Sequence, residues 1–513
     1  MRKVFSHFTW ALTGEQESMV VHDSEIEWRG PADQTPAPSD GLGWENLSGM
    51  FVLPGFIDAH CHILPTGLDL QKLHLGACST KSEVLDLVRD RERSMEPDEW
   101  LHAVHYDQTR FPDGCHLTLS ELDTISRERP ILLRHVNGHA SIANSAALIA
   151  AQVAPEVEDP KGGTYVRDDS GRLNGVLLER AHEFVTAAAP SPTLPQMVDA
   201  ILAAGEKMSS LGITCASDMM TGRWDLPTEL EAYRIASETG CRIRLRLYAQ
   251  WGSVFGPRGV GVQELSRLTS GMKSDRCRVA GIKIFADGAI GSATAAIYGE
   301  YTVGGNGTLI YEPEKLKEMV RIAHEAGKTL AIHSIGDRST DLVLEAYGRL
   351  DDPSRHRIEH AMMMSDAQID RLSMLGCHCS MQPEFLAHFG HAYVRQLGPN
   401  RAAHLKRFRS VMNSGIPLSF SSDRPIVAGD PWDGILASVM RPEGFDPSEN
   451  ISRTEAVRNF TEMGAVANRE ADDVASLEAG AWADFQVYPT DPLTTERPLV
   501  HGTVMAGEWA SYG

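Results

Sequence analysis

Two histidines separated by one residue, His60 and His62, end the apolar run 51–59. Residues i and i+2 of an extended strand point to the same side, so both imidazoles can bind one metal ion. With 20 histidines in 513 positions, about one such spacing is expected by chance. The position of the pair at the end of a buried-type strand is what indicates a metal site.

Three further ligand-type side chains close apolar segments. His333 follows 329–332, His360 ends 356–360 and Asp423 follows 417–422. Each alone could be a buried structural group that has found a hydrogen bond. Together with the first pair they make four histidines and one aspartate, a donor set that suits a divalent cation. We expect zinc, as one or two ions.

Lys283 closes the apolar segment that begins at residue 279 and is the unusual member of this set. A protonated ammonium would repel a cation, but burial lowers the pKa of a lysine and favours the neutral amine. A neutral amine can add carbon dioxide, and the carbamate has two anionic oxygens. We therefore expect a carboxylated Lys283. The alternative is an unmodified lysine that pairs with Asp287.

The form of Lys283 decides the expected number of metal ions. Two neighbouring cations repel each other strongly and need an anionic bridge, which a carbamate would supply. In the bridged form, His60 and His62 hold one ion, and His333 and His360 hold the other. An unmodified lysine favours a single ion bound by the histidines and Asp423.

Eight apolar segments end in polar residues and alternate with helical patterns such as 313–326 and 365–375. The segments are 51–60, 213–218, 243–250, 279–287, 329–333, 356–360, 378–382 and 417–423. Eight strands that alternate with helices predict a (β/α)8 barrel, an α/β fold whose active site lies at the carboxyl ends of the strands.

Both ends of the chain show the alternation of β-strands, for example in 25–30 and 483–488,. A ninth candidate strand, 130–137, lies between the first two barrel strands, in a segment far longer than a normal loop,. We predict a distorted TIM barrel at 54–470 with an insert after strand 1 at about 65–195. Residues 1–53 and 471–513 are predicted to form one composite β-sandwich domain.

Composition restricts the partners and the compartment. The net charge of −21 disfavours binding to nucleic acid,. The eight scattered cysteines indicate free thiols in a reducing compartment,. No signal peptide and no transmembrane stretch is evident, so we expect a cytoplasmic protein with no membrane partner and a small-molecule substrate. A homodimer is a reasonable expectation.

Several motifs have a recognisable wording along most of the chain. They are LPGFIDAHCH at 53–62, YDQTRFPDG at 106–114, RHVNGHA at 134–140, KIFADGAIGS at 283–292, HSIGDR at 333–338, RIEHA at 357–361, SMQP at 380–383, SDRP at 422–425 and SLEAGAWADF at 476–485. As a group they resemble the metal-dependent amidohydrolase superfamily, in its amidohydrolase family 3 branch of YtcJ-like and N-substituted formamide deformylase-like proteins.

The resemblance implies the same barrel and the same composite β-sandwich domain. It also implies that the histidine pair lies on strand 1, Lys283 on strand 4, His333 on strand 5, His360 on strand 6 and Asp423 on strand 8.

Two residues depart from the family pattern, and both are candidates for substrate contact. Asn137 stands where an aspartate is expected, and Arg424 stands where alanine is common after the strand-8 aspartate. We predict that His139 of the insert, Asp287 and Arg424 bind substrate.

The residues and the resemblance together favour a hydrolase that uses metal-activated water on an amide, formamide or cyclic amide. Asp423 is the expected general base, and the metal is expected to polarise the carbonyl and to stabilise the tetrahedral oxyanion with the help of His139. Two alternatives stay open. One is a binding or regulatory protein on an amidohydrolase barrel. The other is a metal-dependent deaminase, decarboxylase or esterase, because a fold does not fix a reaction.

Overall fold

The computed structural model describes residues 2–36, 43–96, 99–136, 140–160, 163–471 and 473–512. The strands are β1 (Arg2–Trp10), β2 (Gln16–His22), β3 (Glu25–Pro31), β4 (Gly43–Asn46), β5 (Phe51–Pro54), β6 (Phe56–Cys61), β7 (Leu73–His74), β8 (Leu101–Tyr106), β9 (Ile131–His135), β10 (Ala140–Ala143), β11 (Gly163–Arg167), β12 (Leu173–Glu179), β13 (Ile213–Thr221), β14 (Arg244–Gln250), β15 (Cys277–Phe285), β16 (Leu330–Ser334), β17 (Arg357–His360), β18 (His378–Met381), β19 (Leu418–Phe420), β20 (Phe485–Tyr488), β21 (Gly502–Met505) and β22 (Glu508–Tyr512).

The α-helices are α1 (Ile63–Leu70), α2 (Lys81–Glu92), α3 (Leu119–Asp123), α4 (Ser145–Ala150), α5 (Arg180–Ala187), α6 (Leu194–Ser209), α7 (Leu226–Thr239), α8 (Trp251–Phe255), α9 (Val262–Thr269), α10 (Pro313–Glu325), α11 (Asp337–Tyr347), α12 (Asp366–Leu375), α13 (Glu384–Leu397), α14 (Pro399–Ala402), α15 (Phe408–Asn413), α16 (Pro431–Val439), α17 (Arg453–Phe460) and α18 (Glu462–Ala467). Every helix in the described part of the chain is too short or too polar to span a lipid bilayer.

Eight parallel strands form the barrel sheet, in the order β19-β18-β17-β16-β15-β14-β13-β6. The first and last strands approach each other through two backbone hydrogen bonds beyond β19. Asp423 N donates to His60 O at 2.7 Å, and His62 N donates to Arg424 O at 2.9 Å. The (β/α)8 barrel predicted from the eight apolar segments is confirmed, and these two bonds join the ends of strands 1 and 8 where the predicted ligands lie.

Local signals in the sequence fix the ends of the barrel helices. The predicted helices at 313–326 and 365–375 are α10 and α12. At α12, the Ser365 side chain accepts from Gln368 N while the Gln368 side chain accepts from Ser365 N, which is a capping box,. Gly376 ends the same helix in the left-handed conformation, at φ 65°,. These caps fix the two ends of α12, which lies in the chain between β17 and β18.

Strands from both termini share one composite sheet, in the order β22-β21-β20-β5-β1-β2-β3, with β4 also paired to β1. Its core includes the edge-on contact of Phe5 with Phe485, with 5.0 Å between ring centroids. A buried ion pair ties the barrel strand β14 to the end of the chain, because Arg244 Nε lies 2.6 Å from Asp484 Oδ2. The predicted composite β domain is therefore confirmed.

Residues Leu68–Thr193 form a separate compact unit after the first barrel strand. It contains a sheet in the order β11-β12-β10-β9-β8-β7 and has its own apolar core, with Leu101, Ile131 and Ile142 among its buried residues. The ninth candidate strand is β9 in this sheet. All eight cysteines of the chain are unpaired thiols, as predicted.

Candidate metal centre

The predicted ligands lie at the carboxyl ends of their barrel strands. His60 is in β6 and His62 follows that strand, His333 is in β16, and His360 is the last residue of β17. Asp423 follows β19 by three residues. The carboxyl ends of the strands of a β/α barrel meet at one mouth, so the fold itself brings these side chains together.

The most compact part of this cluster is a buried group of three. One atom from each of His60, His360 and Asp423 lies within 4.8 Å of the others. His62 joins the group through its Nε2, which is 2.9 Å from Asp423 Oδ1. The His333 ring packs edge-on against the His360 ring, with 4.5 Å between centroids. All five predicted ligands therefore lie in one cluster at the barrel mouth.

Lys283 lies beside this cluster, on β15. It is buried, and its Nζ is 3.2 Å from His60 Nε2. Within the described residues no ion pair joins Lys283 to Asp287, so the alternative pairing is not formed. Burial lowers the pKa of Lys283 to about 8, against the opposing charges of Glu359 and Asp423. Carboxylation of this amine stays a prediction.

A carboxylate that the sequence reasoning did not single out orients His60. Glu359 Oε2 lies 2.6 Å from His60 Nδ1, and Arg357 binds the same carboxylate through Nε and Nη2. Burial alone would raise the pKa of Glu359, but the charge of Arg357 and the contact with His60 lower it below its usual range. The ionised carboxylate keeps the proton on His60 Nδ1 and leaves the Nε2 lone pair facing the cluster.

A different side chain orients His360. Its Nδ1 lies 2.9 Å from Gln382 Oε1, and that oxygen also accepts a hydrogen bond from Lys406 Nζ at 2.8 Å. Lys406 Nζ lies 3.1 Å from the carbonyl oxygen of His360 as well. An amide oxygen can only accept, so His360 carries its proton on Nδ1 and presents Nε2 to the cluster. Neither Gln382 nor Lys406 was predicted.

His333 and Asp287 connect the cluster to the loops that follow β15 and β16. His333 Nε2 donates to Gly288 O at 3.0 Å. The Asp287 carboxylate is buried and accepts from the backbone N–H groups of Ile335, Gly336 and Ala296 and from the Ser339 hydroxyl. Burial raises the pKa of Asp287 to about 6. Its substrate contact stays a prediction, but these filled hydrogen bonds favour a role in holding the loops.

The protonation states of the ligands suit a cation. Burial lowers the pKa of His333 to about 3 and that of His360 well below its usual value, so both are neutral imidazoles at pH 7. Although burial alone would raise the pKa of Asp423, His60 and His62 hold it well below its usual range. Neutral imidazoles and an ionised carboxylate are the forms that bind divalent metals.

The backbone at the cluster is held in an uncommon conformation. His360 has a φ of 70° and Asp423 a φ of 60°, in the left-handed region that residues with a Cβ atom rarely adopt,. Such conformations cost about 1–3 kcal/mol each and concentrate at functional sites. The surrounding barrel stabilises both residues against this cost.

The donor set also leaves atoms that a cation could satisfy. Asp423 Oδ1 and His62 Nδ1 are buried and have no hydrogen-bond partner among the described residues. His62 Nε2 lies 2.9 Å from Asp423 Oδ1 but outside hydrogen-bond geometry. Buried polar atoms in proteins are nearly always paired. The residues present therefore fit a divalent metal.

Of the remaining predicted residues, Arg424 is buried next to Asp423. Asn137 and His139 lie outside the described residues. The sequence held one signal for Glu359: Arg357 and Glu359 are spaced i, i+2 on an apolar strand, which places opposite charges on one face,.

Ligand-type side chains at the mouth of a β/α barrel with a composite β domain define an amidohydrolase. The chain belongs to the amidohydrolase family, whose sequence profile matches residues 44–510. The family resemblance predicted from the motifs is confirmed.

Three individual proteins illustrate the likeness. YtcJ of Bacillus subtilis (strain 168) is 28% identical over 94% of this chain and 93% of its own. The N-substituted formamide deformylase of Arthrobacter pascens is 28% identical over 93% of this chain and 89% of its own. The crystal structure of an uncharacterized metal-dependent hydrolase from Pyrococcus furiosus superposes with a TM-score of 0.80, at 25% identity over 96% of this chain and 100% of its own.

Proposed function

We propose that this amidohydrolase is a metal-dependent enzyme that cleaves a C–N bond of a small amide, formamide or cyclic amide. The observation that carries the proposal is the buried group of His60, His360 and Asp423 at the barrel mouth. The similarity to an N-substituted formamide deformylase supports the bond type. The net charge of −21 favours a small substrate over a phosphate backbone,.

The residues that would hold the metal are the predicted set His60, His62, His333, His360 and Asp423, with Lys283 as the bridge if it is carboxylated. Nitrogen and carboxylate ligands of this kind suit zinc. When bound, a divalent cation lowers the pKa of a water molecule and polarises a carbonyl group.

The side chains of the chain itself then manage the proton and the geometry. Asp423 is ionised, and its Oδ1 has no hydrogen-bond donor among the described residues, so it can accept a proton from the attacking water,. The same carboxyl group then delivers that proton to the leaving nitrogen. Glu359 and Gln382 keep the protons of His60 and His360 on Nδ1, away from the cluster,.

Asp423→Asn tests the role of the base. We expect kcat to fall by about 10²–10⁴-fold, the usual contribution of a general base, while the protein stays folded. Asp484→Asn is the matched control, because Asp484 is a buried aspartate paired with Arg244 far along the chain from the cluster. Near-normal turnover by Asp423→Asn would refute the assignment of the base.

The reaction type is tested with a panel of formamides, linear amides, lactams and hydantoins, assayed with protein purified without chelator. Elemental analysis of the same preparation measures bound metal. Turnover of at least one C–N substrate that is lost on chelation and restored by zinc supports the proposal. Absence of both stoichiometric metal and turnover would favour a binding or regulatory protein.

A further inference from the structure

Arg424 is a buried guanidinium whose hydrogen bonds are incomplete. Its side chain is only 4% exposed. Nη2 donates to Ala428 O at 2.8 Å, whereas Nε and Nη1 have no partner among the described residues. No carboxylate of the described residues forms an ion pair with it. A permanent positive charge is therefore enclosed, and two of its nitrogen atoms have no acceptor among the described residues.

Leaving a charge in this state is costly. Taking an ion out of water is unfavourable unless a counter-charge and hydrogen bonds offset the lost hydration. Two buried carboxylates, Asp58 and Glu384, lie close enough for the charge of Arg424 to lower their pKa values, although burial raises both overall. Both accept hydrogen bonds from other groups, Asp58 from Ser422 and Glu384 from Gly429 N. Among the described residues, therefore, neither of these carboxylates binds the Arg424 guanidinium directly.

The position of Arg424 links this charge to the catalytic cluster. Its backbone N donates to the Ser422 hydroxyl at 3.0 Å, and its carbonyl oxygen accepts from His62 N. The backbone of Arg424 thus follows Asp423, the proposed base, and is hydrogen-bonded to the backbone of His62. The backbone of Arg424 therefore lies at the barrel mouth, directly after Asp423.

We propose that Arg424 binds a carboxylate of the substrate, so that this enzyme acts on N-acyl or N-formyl compounds that carry a carboxylate near the scissile C–N bond. The inference rests on the proposed function. A guanidinium is the side chain best matched to a carboxylate, with which it forms charge-assisted hydrogen bonds. A single guanidinium balances one negative charge, which favours a monoanionic carboxylate over a phosphate monoester.

The test compares two substrates that differ only in the charge, an N-formyl amino acid and its neutral carboxamide. We expect the wild type to favour the acid in kcat/KM by about 10–100-fold, the range of a hydrogen-bonded charge. Arg424→Met should lower that ratio to near one, and Arg424→Lys should keep part of it. Arg409→Met, which removes an arginine paired with Glu455, should retain the wild-type ratio.

The outcomes separate this inference from the proposed function. Equal hydrolysis of acid and amide by the wild type would overturn the role of Arg424 and leave the C–N hydrolase standing, even if Arg424→Met failed to fold. If neither compound is hydrolysed, calorimetric binding of N-acetyl amino acids and of their amides still decides. Tighter binding of the acids that is reduced in Arg424→Lys and lost in Arg424→Met supports the carboxylate site, and equal binding refutes it.

Discussion

Glu359→Gln tests whether Glu359 serves metal binding or only the stability of the barrel. Glu359 is fully buried, its Oε2 is 2.6 Å from His60 Nδ1, and Arg357 binds both of its oxygens. Every neighbour of this carboxylate is thus a donor. A glutamine must turn its NH2 group toward either Arg357 or His60 and will oppose one of these donors.

The expected magnitudes follow from these contacts. Facing His60, the NH2 group would drive the imidazole proton onto Nε2, the atom that faces the cluster. Loss of such an orienting partner lowers metal affinity by about 10–100-fold. Facing Arg357, it would leave a buried guanidinium half-paired, and removing one partner of a buried ion pair costs up to about 3–5 kcal/mol of unfolding free energy.

Two measurements on one preparation distinguish these effects: zinc competition with a chromophoric chelator, and denaturant unfolding of the metal-free protein. Asp484→Asn is the matched control, because Asp484 binds Arg244 through both oxygens in an equally buried pair and touches none of the predicted ligands. It should lose stability and keep wild-type zinc affinity. If Glu359→Gln behaved in the same way, Glu359 would be structural and the orienting role would be wrong.

Two further predictions concern Lys283 and the buried Glu229. In protein prepared with bicarbonate, Lys283→Ala should lower bound zinc from about two ions per chain to one or fewer, as measured by elemental analysis. If labelled bicarbonate left no label on wild-type Lys283, the carbamate bridge would be contradicted. Burial raises the pKa of Glu229 to about 7 although the backbone N–H groups of Gly222 and Trp224 bind its carboxylate. A raised acid pKa stabilises the folded state below the unfolded value near 4.5 and loses that contribution as the pH rises to about 7. The unfolding free energy of the wild type should therefore fall between pH 4.5 and 7.5 relative to Glu229→Gln, by at most about 3 kcal/mol, and parallel pH profiles in urea would refute the shift.

The cluster could be predicted because each of its side chains lies at the end of an apolar strand. The direction of parallel strands in a barrel places those ends at one mouth, so the one-dimensional pattern around His333 and Asp423 already specified proximity. The barrel and the composite β domain followed from the same periodicity. The orienting side chains could not be found in this way, because Glu359 and His60 are 299 residues apart in sequence and meet only through the order of the strands.

Strand periodicity alone would not place the side chains of Glu359 and His360 at one site. Neighbours in a regular strand point to opposite faces. In the structure His360 leaves the extended conformation with a φ of 70°, so it escapes that alternation while Glu359 still obeys it. The exception occurs at a residue with an unfavourable backbone conformation. Propensity rules describe the average residue, whose backbone conformation is not strained.

The two side chains that orient His60 and His360 differ in charge, and this difference makes the two imidazoles unequal as electron donors. His60 donates to a carboxylate, which raises the basicity of its free Nε2, whereas His360 donates to the amide of Gln382,. Lys406 draws further electron density from that amide oxygen. His60 would therefore be the stronger donor to a bound cation, and His360 would bind it with less negative charge behind its ring. Arg424, the residue that follows Asp423, adds a positive charge. A substrate carboxylate bound by Arg424 would hold the substrate near Asp423, and a metal held by the cluster would supply polarisation of the carbonyl oxygen.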